Sequence, residues 1–143
     1  MADTGSKGRA LENVRVRDCM HQGILSCAGD APLAEVAAIM AKYRVHAVAI
    51  ANRSGGRPTG VVSDVDIVAA AARGEEPTAL ESVAAKAPTV SADTSMVRAA
   101  QLMAENGVTH LVVLDAASGY PIGVLSSLDV AAAYAGRAEG TPV

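Results

Sequence analysis

Two short segments carry residue types that suit the binding of a phosphorylated nucleoside. They read GVVSDVD at 60–66 and GVLSSLD at 123–129. Each stands where a β-rich run ends and an Ala-rich helix is expected to begin, and a helix N-terminus offers free backbone N–H groups to a phosphate. The residues shared by the two segments are Gly60, Ser63 and Asp66 in the first and Gly123, Ser126 and Asp129 in the second.

Each of these residue types has a chemical role in such a site. A glycine at the end of a strand lets a ligand approach the backbone closely. The serine hydroxyl can bond a phosphate, and the aspartate one helical turn later can accept hydrogen bonds from both hydroxyls of a ribose. The Ser-x-x-Asp spacing is also that of a capping box, which needs no ligand. The two roles are compatible, and the presence of two copies, each with its glycine, favours a ligand site.

The two segments belong to a longer internal repeat. A shift of 63 residues aligns 30–73 with 93–136 without a gap, and 14 of the 44 aligned pairs are identical. Chance would give roughly four or five identities at this alanine content. Because a half of about 60 residues is only marginally stable alone, we expect the two halves to pack against each other.

Both halves predict the same order of elements, a short strand, a helix, two strands and a closing helix. Apolar residues recur at helical spacing after Asp30 and after Asp93, which we expect to be helix N-caps, with Pro32 in the first turn. The pair Asn106-Gly107 predicts a helix end. The β-rich runs lie at 24–27, 46–51 and 59–62 in the first half and at 89–90, 110–114 and 122–125 in the second. The fold class is therefore α/β, of the α+β kind.

The composition excludes several classes of function. The net charge is -3 and no block of like charges occurs, whereas general binding of nucleic acid needs a concentrated basic face. Aromatic residues make up 2% of the chain, too few for base stacking. No apolar run reaches the roughly 20 residues that span a bilayer, and no signal-peptide pattern is present. We expect a soluble cytoplasmic protein that binds neither nucleic acid nor membrane.

The duplicated unit with its Gly-hydrophobic-x-Ser-x-x-Asp motif resembles the cystathionine-β-synthase-type (CBS) domain. The segment VRDCM at 16–20 also resembles the opening of that family, so the resemblance covers about 14–136. It implies two CBS repeats related by a pseudo-twofold axis, a Bateman module, each with about three strands packed on two helices. The implied division is a flexible tail at 1–12, repeat one at 13–75, repeat two at 76–137 and a tail at 138–143.

The resemblance also implies a ligand and the residues that hold it. Family members bind AMP, ADP, ATP or S-adenosylmethionine in clefts between two repeats, and no other cofactor is required. By that pattern Asp66 and Asp129 hold ribose, while Ser63 and Ser126 lie beside the phosphate. The residues implied to line the adenine pocket are Leu25, Ser26, Val45, His46 and Ala47 in repeat one and Thr89, Val108, Thr109 and His110 in repeat two.

One departure from the family pattern leaves two functions open. Many members that bind phosphorylated ligands carry Arg directly before the motif aspartate, where this chain has Val65 and Leu128. The adenosine part of the interpretation is therefore better supported than the phosphate part, because charge-assisted contacts to phosphate are the stronger ones. The first hypothesis is a non-catalytic sensory module that acts in trans on an unknown effector protein. The alternative is a homodimeric assembly protein with vestigial sites, paired through the Ala-rich helices at 67–72 and 130–135. We expect a homodimer under the first hypothesis as well.

Enzyme chemistry and metal binding find no support in the sequence. No combination of nucleophile, base and oxyanion donors is visible, so we expect no catalytic activity. The three histidines have no metal-ligand spacing among themselves or with the cysteines. Cys19 and Cys27 are too few for a disulfide scaffold, and we expect both to be structural thiols.

Overall fold

The computed structural model describes residues 11–55, 57–83 and 88–136. Most of the tails predicted at 1–12 and 138–143 lies outside these residues, although Leu11 is described and is buried. The chain divides into two compact units. The first-repeat unit is Ile24–Ala87, and the second-repeat unit combines Met1–Gly23 with Pro88–Val143. Each unit contains one copy of the internal repeat.

The helices and strands follow the predicted order in both units, which confirms the mixed α/β fold class. In chain order they are α1 (Val16–Cys19), β1 (His21–Gln22), β2 (Ser26–Cys27), α2 (Leu33–Tyr43), β3 (Ala47–Ile50), β4 (Gly60–Ser63), α3 (Asp64–Arg73), α4 (Ala79–Ser82), β5 (Thr89–Ser91), α5 (Met96–Asn106), β6 (His110–Leu114), β7 (Pro121–Ser126) and α6 (Ser127–Tyr134). Among the described residues no helix has the length and apolar character needed to cross a membrane.

The first-repeat unit contains a three-stranded sheet in the order β2-β3-β4. Strand β3 lies in the middle, parallel to β2 and antiparallel to β4, and all four of its residues are buried. Ala47, the first residue of β3, stands opposite Ser63, the last residue of β4. The sheet and the helices share a core formed by Leu33, Val36, Met40, Val48, Ile50, Val62, Ala70 and Ala79.

The second-repeat unit has four strands in the order β1-β7-β6-β5, one more than the expected three. The additional strand β1 comes from the segment before the first repeat and pairs antiparallel with β7, His21 opposite Val124 and Gln22 opposite Gly123. A division of the chain at 75/76 assigns this segment to repeat one, whereas its contacts place it in the second-repeat unit. The reason is that β7 has an open edge that β1 can extend.

The helix N-caps differ from the prediction. Helix α2 has Pro32 as its N-cap residue and α5 has Ser95, so the expectation that Asp30 and Asp93 cap these helices was wrong. A proline sterically disfavours the helical conformation of the residue that precedes it, so α2 does not begin before Pro32. At α5 the Ser95 hydroxyl accepts a hydrogen bond from the backbone N–H of Arg98 at 3.2 Å.

The ends of the two long helices are alike in geometry but not in residue type. Helix α5 ends at Asn106 and Gly107 adopts the left-handed conformation with φ 61°, which confirms the predicted stop. At the equivalent position in the first-repeat unit, Arg44 ends α2 with φ 54° and ψ 47°. Among the described residues it is the one non-glycine residue with positive φ. Such a conformation is unfavourable for a residue with a Cβ atom.

Candidate functional site

The first motif lies at the junction of β4 and α3, as its pattern predicts. The backbone N–H of Ser63 donates to Asp66 Oδ2 at 2.8 Å, and the Ser63 hydroxyl donates to the same oxygen at 3.2 Å. Within the described part of the chain, the second carboxylate oxygen, Asp66 Oδ1, has no hydrogen bond. Both side chains are half-buried. Asp66 is therefore held in place through one oxygen while the other can accept a hydrogen bond from a ligand.

Pairing of β3 with β4 brings part of the predicted adenine pocket beside this motif. Ala47 stands opposite Ser63, and the backbone N–H of Asp64 donates to the carbonyl oxygen of His46 at 3.0 Å. The side chains of His46 and Asp64 also meet, Nδ1 to Oδ2 at 2.9 Å, with about half of each exposed. This carboxylate lies next to His46, so the imidazole does not offer a free positive charge at the start of α3.

Three other predicted residues of the first-repeat unit occupy different places. Val45 precedes β3, where its backbone N–H donates to the carbonyl of Met40. Leu25 and Ser26 lie on the far side of β3 from the motif strand. Leu25 accepts a hydrogen bond from the N–H of Ala49 at 2.9 Å, and Ser26 stands opposite Ala49 in the ladder. Backbone pairing therefore brings His46 and Ala47 to the motif, but not Leu25 or Ser26.

The second motif has the same spacing but a different environment. The Ser126 N–H donates to Asp129 Oδ2 at 2.8 Å, and the Asp129 N–H donates to the Ser126 hydroxyl oxygen at 3.2 Å. This is a complete capping box at the start of α6. Ser126 is 3% exposed and Asp129 is 2% exposed. The carboxylate that is half-buried in the first motif is thus fully buried in the second.

A histidine that the motif search did not single out contacts the second motif. His21 on β1 places its Nε2 atom 3.1 Å from Asp129 Oδ1. The Asp129 side chain is 1% exposed and that of His21 is 27% exposed. Together with the hydrogen bond from Ser126, this contact occupies both carboxylate oxygens. The two residues are 108 positions apart in the chain. The neighbouring lead-in segment was the one signal in the sequence that pointed to this region.

The remaining predicted residues of the second-repeat unit also divide into near and distant positions. The carbonyl of Thr109 accepts a hydrogen bond from the N–H of Ser127 at 2.8 Å, and the Thr109 hydroxyl lies 2.9 Å from Nδ1 of the buried His110. Val108 follows α5, with its N–H bonded to the carbonyl of Met103. Thr89 lies on β5, separated from the motif strand β7 by β6. Thr109 and His110 therefore lie at the motif, whereas Thr89 does not.

The motif glycines make room for atoms of the chain itself. A Cβ atom on Gly123 would overlap the carbonyl oxygen of His21. A Cβ atom on Gly60 would come within 3.1 Å of a Val83 methyl carbon and 3.2 Å of the Ile50 Cδ1 atom. These contacts explain the two glycines without a ligand, because each one lets neighbouring protein atoms pack against a strand.

The sequence profile of the CBS domain matches the chain twice, at residues 16–73 and 80–136. The two matches cover both copies of the repeat and both motifs. The chain belongs to the CBS domain family. A search of curated proteins finds no match.

Solved structures of CBS domain pairs have the same fold. The CBS domain protein PAE2072 from Pyrobaculum aerophilum, complexed with AMP, is 30% identical, with a TM-score of 0.72 over 81% of this chain and 89% of that one. The CBS domain pair of protein MJ0100, in complex with 5-methylthioadenosine and S-adenosyl-L-methionine, is 20% identical, with a TM-score of 0.76 over 86% and 97%. The CBS domain of a bacterial CNNM/CorC family Mg2+ transporter, in complex with ATP, is 17% identical, with a TM-score of 0.76 over 94% and 96%.

An apolar groove lies on the helical side of the second CBS unit. It has a volume of about 360 Å³. Its walls carry no charged side chain and are formed by Ala100, Met103, Ala104, Gly107, Val108, Thr109, Ser127 and Val130. The predicted adenine-pocket residues Val108 and Thr109 border this groove, whereas the motif residues Ser126 and Asp129 do not. The groove therefore lacks the carboxylate that binding of a ribose requires.

Both cysteines of the CBS pair are in environments that suppress thiolate formation. Burial, with the nearby charges of Asp18 and Asp129, raises the pKa of the Cys19 thiol from 9.0 to about 11. Burial also raises the pKa of Cys27. A reactive thiol needs a lowered pKa and access to solvent, so neither cysteine has the properties of a redox or nucleophilic centre. Within the described ranges, no three His, Cys, Asp or Glu side chains are grouped as metal ligands.

Proposed function

We propose that this CBS domain pair is a non-catalytic regulatory module that binds an adenosine-containing ligand through the first motif and acts in trans on a partner protein. The observation that carries the proposal is the environment of Asp66. One carboxylate oxygen is held by the Ser63 backbone and hydroxyl groups, and the other is available at a half-buried position. A fixed carboxylate with a free oxygen suits the hydroxyl groups of a ribose, which are hydrogen-bond donors.

The relatives support the adenosine part of this proposal. PAE2072 is 30% identical and was solved with AMP. At that identity, with most of both chains covered, the likeness supports transfer of the ligand class as well as the fold. The lower-identity CBS structures in complex with S-adenosyl-L-methionine, 5-methylthioadenosine or ATP support only the fold of this chain. We therefore propose adenosine as the recognised group and leave the phosphate number to experiment.

The charges around the first motif favour recognition of the nucleoside over its phosphates. Val65 precedes the motif aspartate, is 58% exposed and cannot pair with an anion. His46 lies against the carboxylate of Asp64. The phosphate would thus be held by backbone N–H groups of the α3 N-terminus, since the Ser63 hydroxyl already donates to Asp66. We expect AMP and adenosine to bind with dissociation constants within about tenfold of each other, because Val65 stands where a cationic side chain could pair with the phosphate.

An exposed apolar face favours the alternative function, assembly of two copies. In the second-repeat unit, Leu128 on α6 is 49% exposed. In the first-repeat unit, Val65 and Val68 lie three positions apart on α3 and are 58% and 66% exposed. Residues at that spacing share one helix face, and exposed apolar residues that cluster are typical of interaction surfaces. In this alternative the CBS pair forms a homodimer and the motifs serve as helix caps.

Ligand-dependent thermal unfolding separates the two functions. We would heat the protein with adenosine, AMP, ADP, ATP, S-adenosylmethionine, GTP or buffer alone. A ligand at 100 times its dissociation constant stabilises the folded state by about 2.7 kcal/mol, which raises the melting temperature of a chain this size by about 5–10 °C. The sensor proposal predicts a shift with adenosine compounds and none with GTP. No shift with any compound, with a mass by light scattering of twice 14.4 kDa, would instead support assembly.

Two variants assign the binding to the motif. Asp66→Ala removes the proposed ribose acceptor and should weaken binding at least tenfold. Asp64→Ala, in the same helical turn, is the matched control because it also removes one carboxylate near the α3 N-terminus. It should leave the dissociation constant of adenosine, which has no phosphate, within about threefold. Binding of 2′,3′-dideoxyadenosine as tightly as adenosine would contradict the role of Asp66.

A further inference from the structure

We propose that the His21 side chain occupies the second CBS motif and prevents a ligand from binding to Asp129. The consequence is that the chain binds one adenosine ligand, at the Asp66 motif, and gains a second site only when His21 is removed or displaced. This inference rests on the proposed function of the motif aspartates. It states that ligand binding at the second motif is blocked, although both motifs have the same spacing of glycine, serine and aspartate.

The first step of the argument is the difference between the two carboxylates. At Asp129 both oxygens are engaged, Oδ1 by His21 Nε2 at 3.1 Å and Oδ2 by the Ser126 N–H at 2.8 Å. At Asp66 only Oδ2 is engaged, through Ser63. A ribose hydroxyl would need the oxygen that His21 contacts. The imidazole therefore takes the place that a ligand hydroxyl takes in an open motif.

The second step is that the backbone fixes the position of His21. It stands opposite Val124 in the antiparallel pair of β1 with β7, and the N–H of Gly23 donates to the carbonyl of Ile122 at 2.9 Å. Upstream, the N–H groups of Val16 and Arg17 donate to carbonyl oxygens of the same unit at 2.8 and 2.9 Å. The absence of a Cβ at residue 123 allows this approach. His21 is consequently held on both sides rather than carried by a free segment.

The third step concerns the charges near the contact. Strand β7, next to His21, has no titratable side chain, whereas α1 contributes Arg17, Asp18 and Cys19. Arg17 is engaged in an ion pair with Asp93. The charges of Asp18 and Asp129 both disfavour ionisation of Cys19, so this part of the unit is electronegative. A hydrogen-bond partner such as the His21 imidazole suits such a place, because a buried carboxylate without a partner is costly.

Isothermal titration with adenosine tests the inference through the number of sites. We expect one site in the wild-type protein and, at the same concentrations, no detectable site in Asp66→Ala, where binding is at least tenfold weaker. His21→Ala should bind two ligands, and the double variant Asp66→Ala/His21→Ala should regain one. The gain in the double variant is decisive, since no effect on the first motif produces it. Gln22→Ala, at the exposed neighbouring residue of β1, is the matched control and should keep one site.

The outcomes distinguish this inference from the proposed function. If the wild-type protein binds adenosine but the double variant regains nothing, His21 does not close the second motif, and two sites in the wild-type protein contradict the inference equally. If neither the wild-type nor any variant binds, the proposed function fails and the inference fails with it. Histidine side-chain NMR spectra add a ligand-free readout that remains usable if the His21 variants do not fold. Asp129→Asn should change the chemical shift of His21 Nε2, which lies 3.1 Å from Asp129 Oδ1, and an unchanged shift would overturn the contact.

Discussion

Gly123 faces the backbone of His21 so closely that no side chain fits between them. A Cβ atom at Gly123 would overlap the His21 carbonyl oxygen and would lie 3.3 Å from the sulfur of Met20. The two strands involved, β7 and β1, come from opposite ends of the chain, yet they pair in one sheet. The sheet can add β1 only because residue 123 has no side chain.

The replacement Gly123→Ala should therefore destabilise the protein more than the equivalent Gly60→Ala. At Gly123 the obstacle is backbone, which cannot move without loss of the β1–β7 pair. At Gly60 the obstacles are methyl groups of Val83 and Ile50, which can shift by a few tenths of an ångström. Overpacking of this kind costs about 1–3 kcal/mol, and we expect Gly123→Ala at the upper end. Urea unfolding of both variants measures the difference, and equal losses would contradict it.

The two motif serines should differ as helix caps. The Ser126 hydroxyl accepts a hydrogen bond from the N–H of Asp129 in a buried site, so Ser126→Ala should reduce the free energy of unfolding by about 1 kcal/mol or more. The Ser63 hydroxyl instead donates to the carboxylate of Asp66 at a half-buried position. Ser63→Ala should cost less, because at a half-buried position water can replace the lost hydroxyl. Chemical denaturation of the two single variants compares them, and a larger loss for Ser63→Ala would refute the assignment.

The left-handed residue that ends α2 should be a site of easy stabilisation. Arg44 has φ 54°, where the equivalent residue of the other CBS unit is Gly107 with φ 61°. A Cβ atom costs roughly 1–2 kcal/mol in this conformation, partly offset by the greater freedom of glycine in the unfolded chain. We expect Arg44→Gly to raise the free energy of unfolding by about 1 kcal/mol, and Gly107→Ala to lower it by a similar amount. A melting temperature that falls in Arg44→Gly would show that the Arg44 side chain makes a compensating contact.

The outline of the fold and the first motif could be predicted because their signals are local. Strand alternation, helical spacing and the Ser-x-x-Asp pattern lie within a few residues of each other, and the internal repeat doubles each signal. The fourth strand could not be predicted in this way. The pairing of His21 with Val124 joins residues about a hundred positions apart. The internal repeat begins at residue 30, so its alignment cannot predict a pairing that involves His21.

The unequal state of the two aspartates has the same cause. Asp66 and Asp129 follow identical spacing from serine and glycine, so local sequence predicts one role for both. Their difference arises from the tertiary position of β1, which brings an imidazole to only one of them. The misplaced N-cap at Asp30 is a smaller case. There the conformational restriction before Pro32 outweighed the capping preference of aspartate.

The buried thiol of Cys19 predicts a specific loss of stability in alkali. Its pKa is raised from 9.0 in the unfolded chain to about 11 in the folded protein, and the residue is 8% exposed. Between these pH values the unfolded state loses the proton and the folded state keeps it. Because the unfolded state then binds fewer protons, the free energy of unfolding falls as the pH rises from 9 to 11. Below pH 9 both states hold the proton, and the contribution is constant.

The size of this effect follows from the shift. A pKa shift of about two units corresponds to about 2–3 kcal/mol of the free energy of unfolding, and most of this contribution is lost by pH 10.5. The variant Cys19→Ala should be less stable at pH 8 because of the cavity it leaves, yet its free energy of unfolding should fall less between pH 8.5 and 10.5 than that of the wild-type protein. All other ionisable groups, including Cys27, are common to both proteins, so the difference between the two slopes isolates the Cys19 thiol. Parallel slopes in urea unfolding would show that Cys19 ionises normally in the folded state, and that α1 does not shield it from water.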